Sequence, residues 1–457
     1  MSIRHEAVYV RRRRVALALA AVLALLLFLL VNRVFSGAGQ AGASPRSAAR
    51  GTSTPPAPTA TAPGSATPTA TASPLPTSAG TRSGAAAPPS ATASGSAARS
   101  PQPRAGAAGS RLVQATLISA TRTAASLAAA PTGGVFAQAS NDRHSVTAYG
   151  PDGTVAGTVS DTVDLGRFGV KGHPGLSLGA PEAAAFTPDG SHAYVANSSM
   201  TGNGFPAVTK RSCADAAAGK STSYLYRVDS QDLSVGAVLP VGADPAQVAV
   251  TPDGVQVLAT GSCSKDLSVL DAGSGRPVAR IPLGAAAQGL AVSADSRTAY
   301  LSLAGSDVLR QVNLRTRAVS DLVRAGKGPG RLLLSRDGTR LFVAQDGPAA
   351  VSAVDLRTGK VTATVRVGSR PLALALSTDG TALYVAGSGK AGLTTVATAD
   401  LAVVQRVRTP SAGVDVVYEP SRKRVWLACA GGAILLFDAK PAAALASPAS
   451  SASSSGR

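Results

Sequence analysis

The chain is poor in the side chains on which most enzyme chemistry depends. Its 457 residues include three cysteines, four histidines, two methionines and one tryptophan, with eight tyrosines and eight phenylalanines. No His or Cys pair has metal-ligand spacing and there is no C-x-x-C, which argues against a zinc site or a redox dithiol. There is no G-x-S-x-G elbow and no identifiable Ser-His-Asp arrangement. Scarce aromatics leave little with which to stack the bases of a single-stranded nucleic acid. Acidic residues are also short, with 25 Asp and Glu against 44 Lys and Arg and a net charge of +19.

What is present is unevenly distributed. Arg11 to Arg14 precede an unbroken apolar run from Val15 to Val31, which Val34-Phe35 extend. Arginines before this run and a lone Arg33 after it favour a single-pass signal anchor over 15–35, with residues 1–14 inside and the rest of the chain outside. A cleaved secretory signal is the alternative, because Ser36-Gly37-Ala38 follow. Residues 36–110 are rich in Ala, Pro, Ser and Thr and almost free of large apolar side chains. Such a segment cannot bury enough surface to offset its ordering entropy, so it reads as a disordered linker, either a glycosylated stalk or a plain spacer. The tail at 441–457 has the same character.

Residues 111–440 are organised by repetition. Asp244 to Gly284 reads as four short strands, alternating Val, Leu and Ile and cut by Asp-Gly or Ser-Gly turns. The first-turn position recurs as Asp253, Asp295, Asp337, Asp379 and Ser421, at a constant interval of 42 residues. Asp189 and Thr132 hold the same position upstream, after one insertion each. Seven units of about 42 residues with four strands apiece predict an all-β, seven-bladed propeller. The last unit supplies only three strands. The stretch Arg111 to Ser119 is therefore expected to complete it as an outermost strand and close the ring, because an open ring would expose a sheet edge.

The motifs Tyr194-Val195-Ala196-Asn197, Tyr384-Val385-Ala386-Gly387 and Phe342-Val343-Ala344-Gln345 resemble the YVTN-type β-propeller repeat. The Pro-x-x-hydrophobic starts and the Val241-Gly242 and Val367-Gly368 ends are similar to it too. The resemblance implies a propeller in a bacterial exported or membrane-anchored protein. It implies no single activity, since members of that family do different things.

Within each unit the Asp-Gly turns fall on one face and read as structural. Both insertions fall on the other, around 160–179 and around 198–222. Long loops on a rigid scaffold are where binding usually resides. Cys213 in the second insertion and Cys263 in the equivalent loop of the next unit are a candidate disulfide pair, and separate thiols are the alternative. Arg324, Lys327 and Arg331 cluster at one blade crossing, Arg366 and Arg370 at the next, and Arg406 and Arg408 near the one after. With His173 they are the candidate ligand-binding residues, in a basic sector suited to an anionic polymer.

The expectation is a binding or scaffold module at the cell envelope, a monomeric propeller that meets an anionic cell-wall polymer or an envelope protein, with no cofactor or metal. The alternative is a propeller hydrolase or lactonase whose site at the channel mouth draws on Glu182, Asp244, His173 and Asp164. A nucleic-acid-binding exported propeller is a further alternative.

Overall fold

A computed structural model describes residues 110–119, 124–139, 144–160, 162–205, 213 and 223–441. The expected cytoplasmic tail and signal anchor, the linker up to its last residue and the C-terminal tail beyond its first residue lie outside the described residues. Among the described residues no helix is long and apolar enough to cross a membrane.

Seven antiparallel sheets follow one another along the chain, and each is a blade. Their inner strands are Ser126–Ala129, Leu176–Phe186, Pro245–Val250, Ala287–Val292, Pro329–Leu334, Pro371–Leu376 and Gly413–Glu419, for blades 1 to 7. Each inner strand contacts the next, and that of blade 7 contacts that of blade 1, so the seven form a closed ring. The protein is a seven-bladed β-propeller with four-stranded blades, and blade 2 carries a fifth strand.

The blades are apolar on both sides, because each is sandwiched between two others. Every residue of 341–345 in blade 5 and of Ala382–Gly387 in blade 6 is buried. Strict in-out alternation is therefore absent from the middle strands, as expected where both faces are covered. The buried clusters straddle the junctions: Leu258, Leu267, Leu301 and Leu303 fill the space between blades 3 and 4, and Trp426, Ile434, Leu127 and Val135 that between blades 7 and 1.

The first turn of each blade explains the repeating Asp. In blade 5 the Ser335 hydroxyl donates to Asp337 at 2.5 Å, and the same carboxylate oxygen accepts the backbone N–H of Thr339 at 3.1 Å. Thr251–Asp253 and Ser377–Asp379 repeat the arrangement. Gly338, at φ +68°, then supplies the left-handed residue the turn requires. These hydroxyl and amide donors hold Asp189 and Asp337 at about 2, well below the usual carboxylate range. Arginines tie neighbouring blades on this turn face. Arg227 of blade 2 donates to the Gly273 carbonyl of blade 3 at 2.9 Å, and Arg340 of blade 5 to the Thr398 carbonyl of blade 6 at 2.7 Å.

Closure occurs as the sequence predicts. Ser110–Ser119 pairs antiparallel with Ala433–Pro441 as the outermost strand of blade 7, with a bulge between Gln114 and Thr116. The ladder extends the expected domain by one residue at each end. Gln405 of blade 6 reinforces it: its side-chain amide accepts from the Leu112 N–H at 2.8 Å and donates to the Leu112 carbonyl at 3.1 Å. A side chain thus occupies backbone groups that a bare edge strand would offer to another chain.

Replacing Gln405 by Ala is expected to remove about 1–2 kcal/mol of stability, the net value of two intramolecular hydrogen bonds. A urea denaturation midpoint equal to that of the unaltered chain would mean the closing strand is held by its ladder alone.

Candidate functional site

Chain direction sorts the loops onto two faces. Inner strands end at the Asp-Gly turns, so the second-to-third-strand loops and the blade crossings share the opposite, loop face. Ser110 and Pro441 pair with each other at the turn face, where the Ala439 N–H reaches the Lys423 carbonyl at 3.2 Å. The loop face is thus left clear of the domain's own ends.

The two insertions build a raised structure on blade 2. The first adds a short strand, Thr162–Asp164, that pairs with the start of the blade's inner strand, and a 3-10 turn, Leu165–Phe168. Neither is visible in the sequence pattern. Asp164 caps the turn by accepting the Gly166 N–H at 3.0 Å. Val163, Leu165 and Met200 join the core between blades 1 and 2, with Phe168, Val170 and Phe205 packed against it. The insertions meet where Gly172 and Gly204 approach so closely that a Cβ on Gly204 would lie 2.1 Å from the Gly172 carbonyl oxygen. His173 stacks on Phe205, with ring centroids 3.9 Å apart and planes 17° from parallel, and Phe205 meets the edge of Tyr224. His173, a candidate ligand-binding residue, thus packs between the two insertions.

A disulfide joins Cys213 to Cys263 and so links the blade 2 insertion to the corresponding loop of blade 3, with Cα atoms 5.0 Å apart. Cys263 also lies 3.9 Å from an Asp244 carboxylate oxygen, and Cys429 is a free, buried thiol. Among the described residues no three His, Cys, Asp or Glu side chains gather closely enough to hold a metal ion. Glu182, Asp244, His173 and Asp164 therefore do not form a metal cluster among the described residues.

The basic sector is partly neutralised. Arg324, at the end of the outer strand of blade 4, lies 4.0 Å from Asp307, and Arg370, in the crossing to blade 6, contacts Asp346 at 2.5 Å. Both acids sit in second-to-third-strand loops, and on blade 3 Arg280 of the outer strand pairs with Asp266 at the start of the third strand. The expectation of a uniformly bare sector is corrected to this extent. Lys327, Arg366 and Arg408 are exposed and have no acidic partner among the described residues. Arg331 differs from all of these: it lies half-buried on the inner strand of blade 5.

Asp415 is a further charged group on an inner strand, that of blade 7, and nothing in its sequence neighbourhood marks it out. Its Oδ2 accepts the Ser126 hydroxyl at 3.0 Å and the Leu127 N–H at 2.8 Å, both on blade 1, and its Oδ1 accepts the Val416 N–H at 2.9 Å. It thus clasps the seam of the ring at the inner edge, as the Ser110–Ser119 strand does at the outer edge. Burial pushes its carboxyl above the ordinary value, against the opposing pull of Arg331 and of these donors.

Fold and site together define a seven-bladed propeller with one elaborated, partly cationic face. No known family description matches the chain, and no curated protein matches it. Among many similar solved structures is the β-propeller domain of Myceliophteria thermophila Cps50 (Swd1). It is 12% identical, with a TM-score of 0.55, over 72% of this chain and 100% of that one. At that identity the likeness is one of fold alone.

The seam and the disulfide can each be tested through stability. Because the Asp415 carboxyl is raised in the folded state, its favourable contribution is complete below about pH 4 and fades as pH rises through the folded value. Asp415→Asn should therefore gain stability relative to the unaltered chain as pH rises from about 4, in urea midpoints taken at several pH values. The disulfide closes a loop of sequence separation 50, for which chain entropy gives about 4 kcal/mol. The Cys213→Ser, Cys263→Ser double variant should be destabilised by about that order, and reductant should then have no further effect on it.

Proposed function

We propose that the propeller is a non-enzymatic binding module that holds an anionic polymer on its loop face, as an exported, membrane-anchored protein of the YVTN type. The observation that carries this reading is the placement of Lys327, Arg366 and Arg408, exposed and without acidic partners among the described residues, on the same face as both insertions. An arc of cations on a rigid ring attracts a polyanion through many weak contacts and needs no deep pocket. The ion pairs Arg324–Asp307 and Arg370–Asp346 divide this arc and give it a spacing. The basic, apolar start of the sequence supports a position at the cell envelope, where an acidic wall polymer is the available partner.

The test is capture of a teichoic acid, a polyuronate and a neutral glycan by the purified chain across a salt series. Capture of the two polyanions should fall steeply with salt. The Lys327→Gln, Arg366→Gln, Arg408→Gln variant should lower the salt slope by roughly one for each polymer charge left unneutralised. Equal capture of the neutral glycan, or a triple variant that behaves like the unaltered chain, would overturn the reading.

A further inference from the structure

We propose that the turn-face end of the seam is a binding site for a phosphate ester, held between the first turn of blade 7 and the last residues of the closing ladder. The site is separate from the loop-face cations and does not depend on the polymer reading.

The first turn of blade 7 is built unlike those of blades 2 to 6. Those turns carry the exposed aspartates Asp189, Asp253, Asp295, Asp337 and Asp379. Each accepts a backbone N–H of its own turn and places a negative charge on this face. In blade 7 the position is Ser421. The carboxylate that organises this turn is instead Glu419, which is fully buried and accepts the N–H groups of Ser421 at 2.7 Å and Arg422 at 3.0 Å. Its charge lies beneath the turn. The outer side presents Arg422, Lys423 and Arg424 in succession.

The other edge of the blade adds to them. Register places Arg111 of the closing strand opposite Lys440, and Arg424 opposite Asp438. Cross-strand partners, and residues two apart on a strand, share a side of the sheet, so these four stand on one side. That side faces blade 1, where the Arg424 guanidinium reaches the Asp152 carbonyl at 3.5 Å. Arg111 and Lys440 are like charges directly opposite each other, an arrangement that is destabilising until an anion joins it.

A cavity of about 470 Å³ opens here, lined by Arg422, Lys423, Arg424, Asp438, Ala439 and Lys440. Its walls are tied at two points. Arg424 Nε donates to Asp438 Oδ1 at 2.8 Å, with only 17% of the arginine side chain exposed, and the Ala439 N–H donates to the Lys423 carbonyl at 3.2 Å. Asp438 is thereby engaged. The acid across the gap, Asp152, accepts the N–H and hydroxyl of Thr154 at 3.0 and 2.7 Å. These bonds, far more than Arg422, hold its carboxyl below the ordinary range. Arg422, Lys423 and Lys440 are exposed and have no ion-pair partner among the described residues. Three such cations around one braced guanidinium suit a group whose several anionic oxygens can each meet a different donor, as a phosphate does. The volume falls among those of small-ligand sites, roughly 300–1,000 Å³, and takes a phosphate together with the small group that carries it. Such esters occur free and as lipid headgroups.

The purified full chain is titrated calorimetrically with glycerol phosphate and with dihexanoyl phosphatidylglycerol below its micelle concentration. Glycerol and the zwitterionic dihexanoyl phosphatidylcholine are the controls. Saturable binding of an anionic phosphate ester is expected. Preference for glycerol phosphate identifies a free phosphomonoester, and preference for the phosphatidylglycerol a lipid headgroup. The Arg422→Gln, Lys423→Gln, Lys440→Gln variant should weaken binding by about tenfold, the sum of three exposed charge contacts. Ser421→Asp, which restores the carboxylate of the other turns, should weaken it by about threefold. Arg276→Gln with Arg336→Gln removes charge elsewhere on the turn face and should leave binding unchanged. The Lys327→Gln, Arg366→Gln, Arg408→Gln variant should also keep it while losing polymer capture, so the two readings fail separately. Absence of binding, equal binding of the zwitterion, unchanged binding by the cluster variant or by Ser421→Asp, or an equal loss in the Arg276, Arg336 variant would overturn the proposal.

Discussion

The structure depends on the seam at which blade 7 meets blade 1. Each blade is apolar on both sides, so a ring with a gap would expose two such faces and an unpaired edge at once. The apolar surface closed there includes the fully buried Trp426 and Ile434 with Leu127 and Val135. Side chains of that size are each worth about 1.5–3 kcal/mol when removed from water. Three devices hold the seam: a ladder from Ser110 to Ser119 at the rim, the Gln405 amide beside it, and the Asp415 carboxylate at the inner edge. They differ in kind. The ladder is made of backbone groups indifferent to pH, whereas Asp415 is an ionisable group placed where its charge is poorly solvated.

A carboxylate there is a costly way to join two strands, because burial opposes the charged form that accepts best. Its engagement by three donors explains how the charge is tolerated.

The ring itself was legible because its signals are local. An Asp-Gly turn, its hydroxyl two residues earlier and the strands on either side lie within a dozen residues, so Asp253, Asp295, Asp337 and Asp379 could be counted directly. Closure was legible by subtraction, as a strand missing at one end and spare at the other. The basic sector was read less well because its neutralising partners are farther along the chain. Arg324 and Arg370 each pair with an acid of an earlier loop, Asp307 and Asp346, and only the fold shows that crossing and loop share a face. Asp415 was invisible for the same reason in stronger form, since its partner Ser126 lies 289 residues away. The strand Thr162–Asp164 was missed because three residues are too few to show a period.

The two faces of the ring are thus built on different physical terms. On the turn face, Asp carboxylates accept from their own turns, and Arg227 and Arg340 reach carbonyls of the next blade. Their charge serves geometry. On the loop face some cations are paired with loop acids, but among the described residues Lys327, Arg366, Arg408 and Arg331 are not. Arginines that brace blades need a carbonyl within reach, and the described part of the loop face offers these four none. Exposed cations without an acidic partner among the described residues stand on the turn face too, Arg276, Arg315 and Arg336 among them, so what singles out the loop face is that its unmatched cations share it with both insertions.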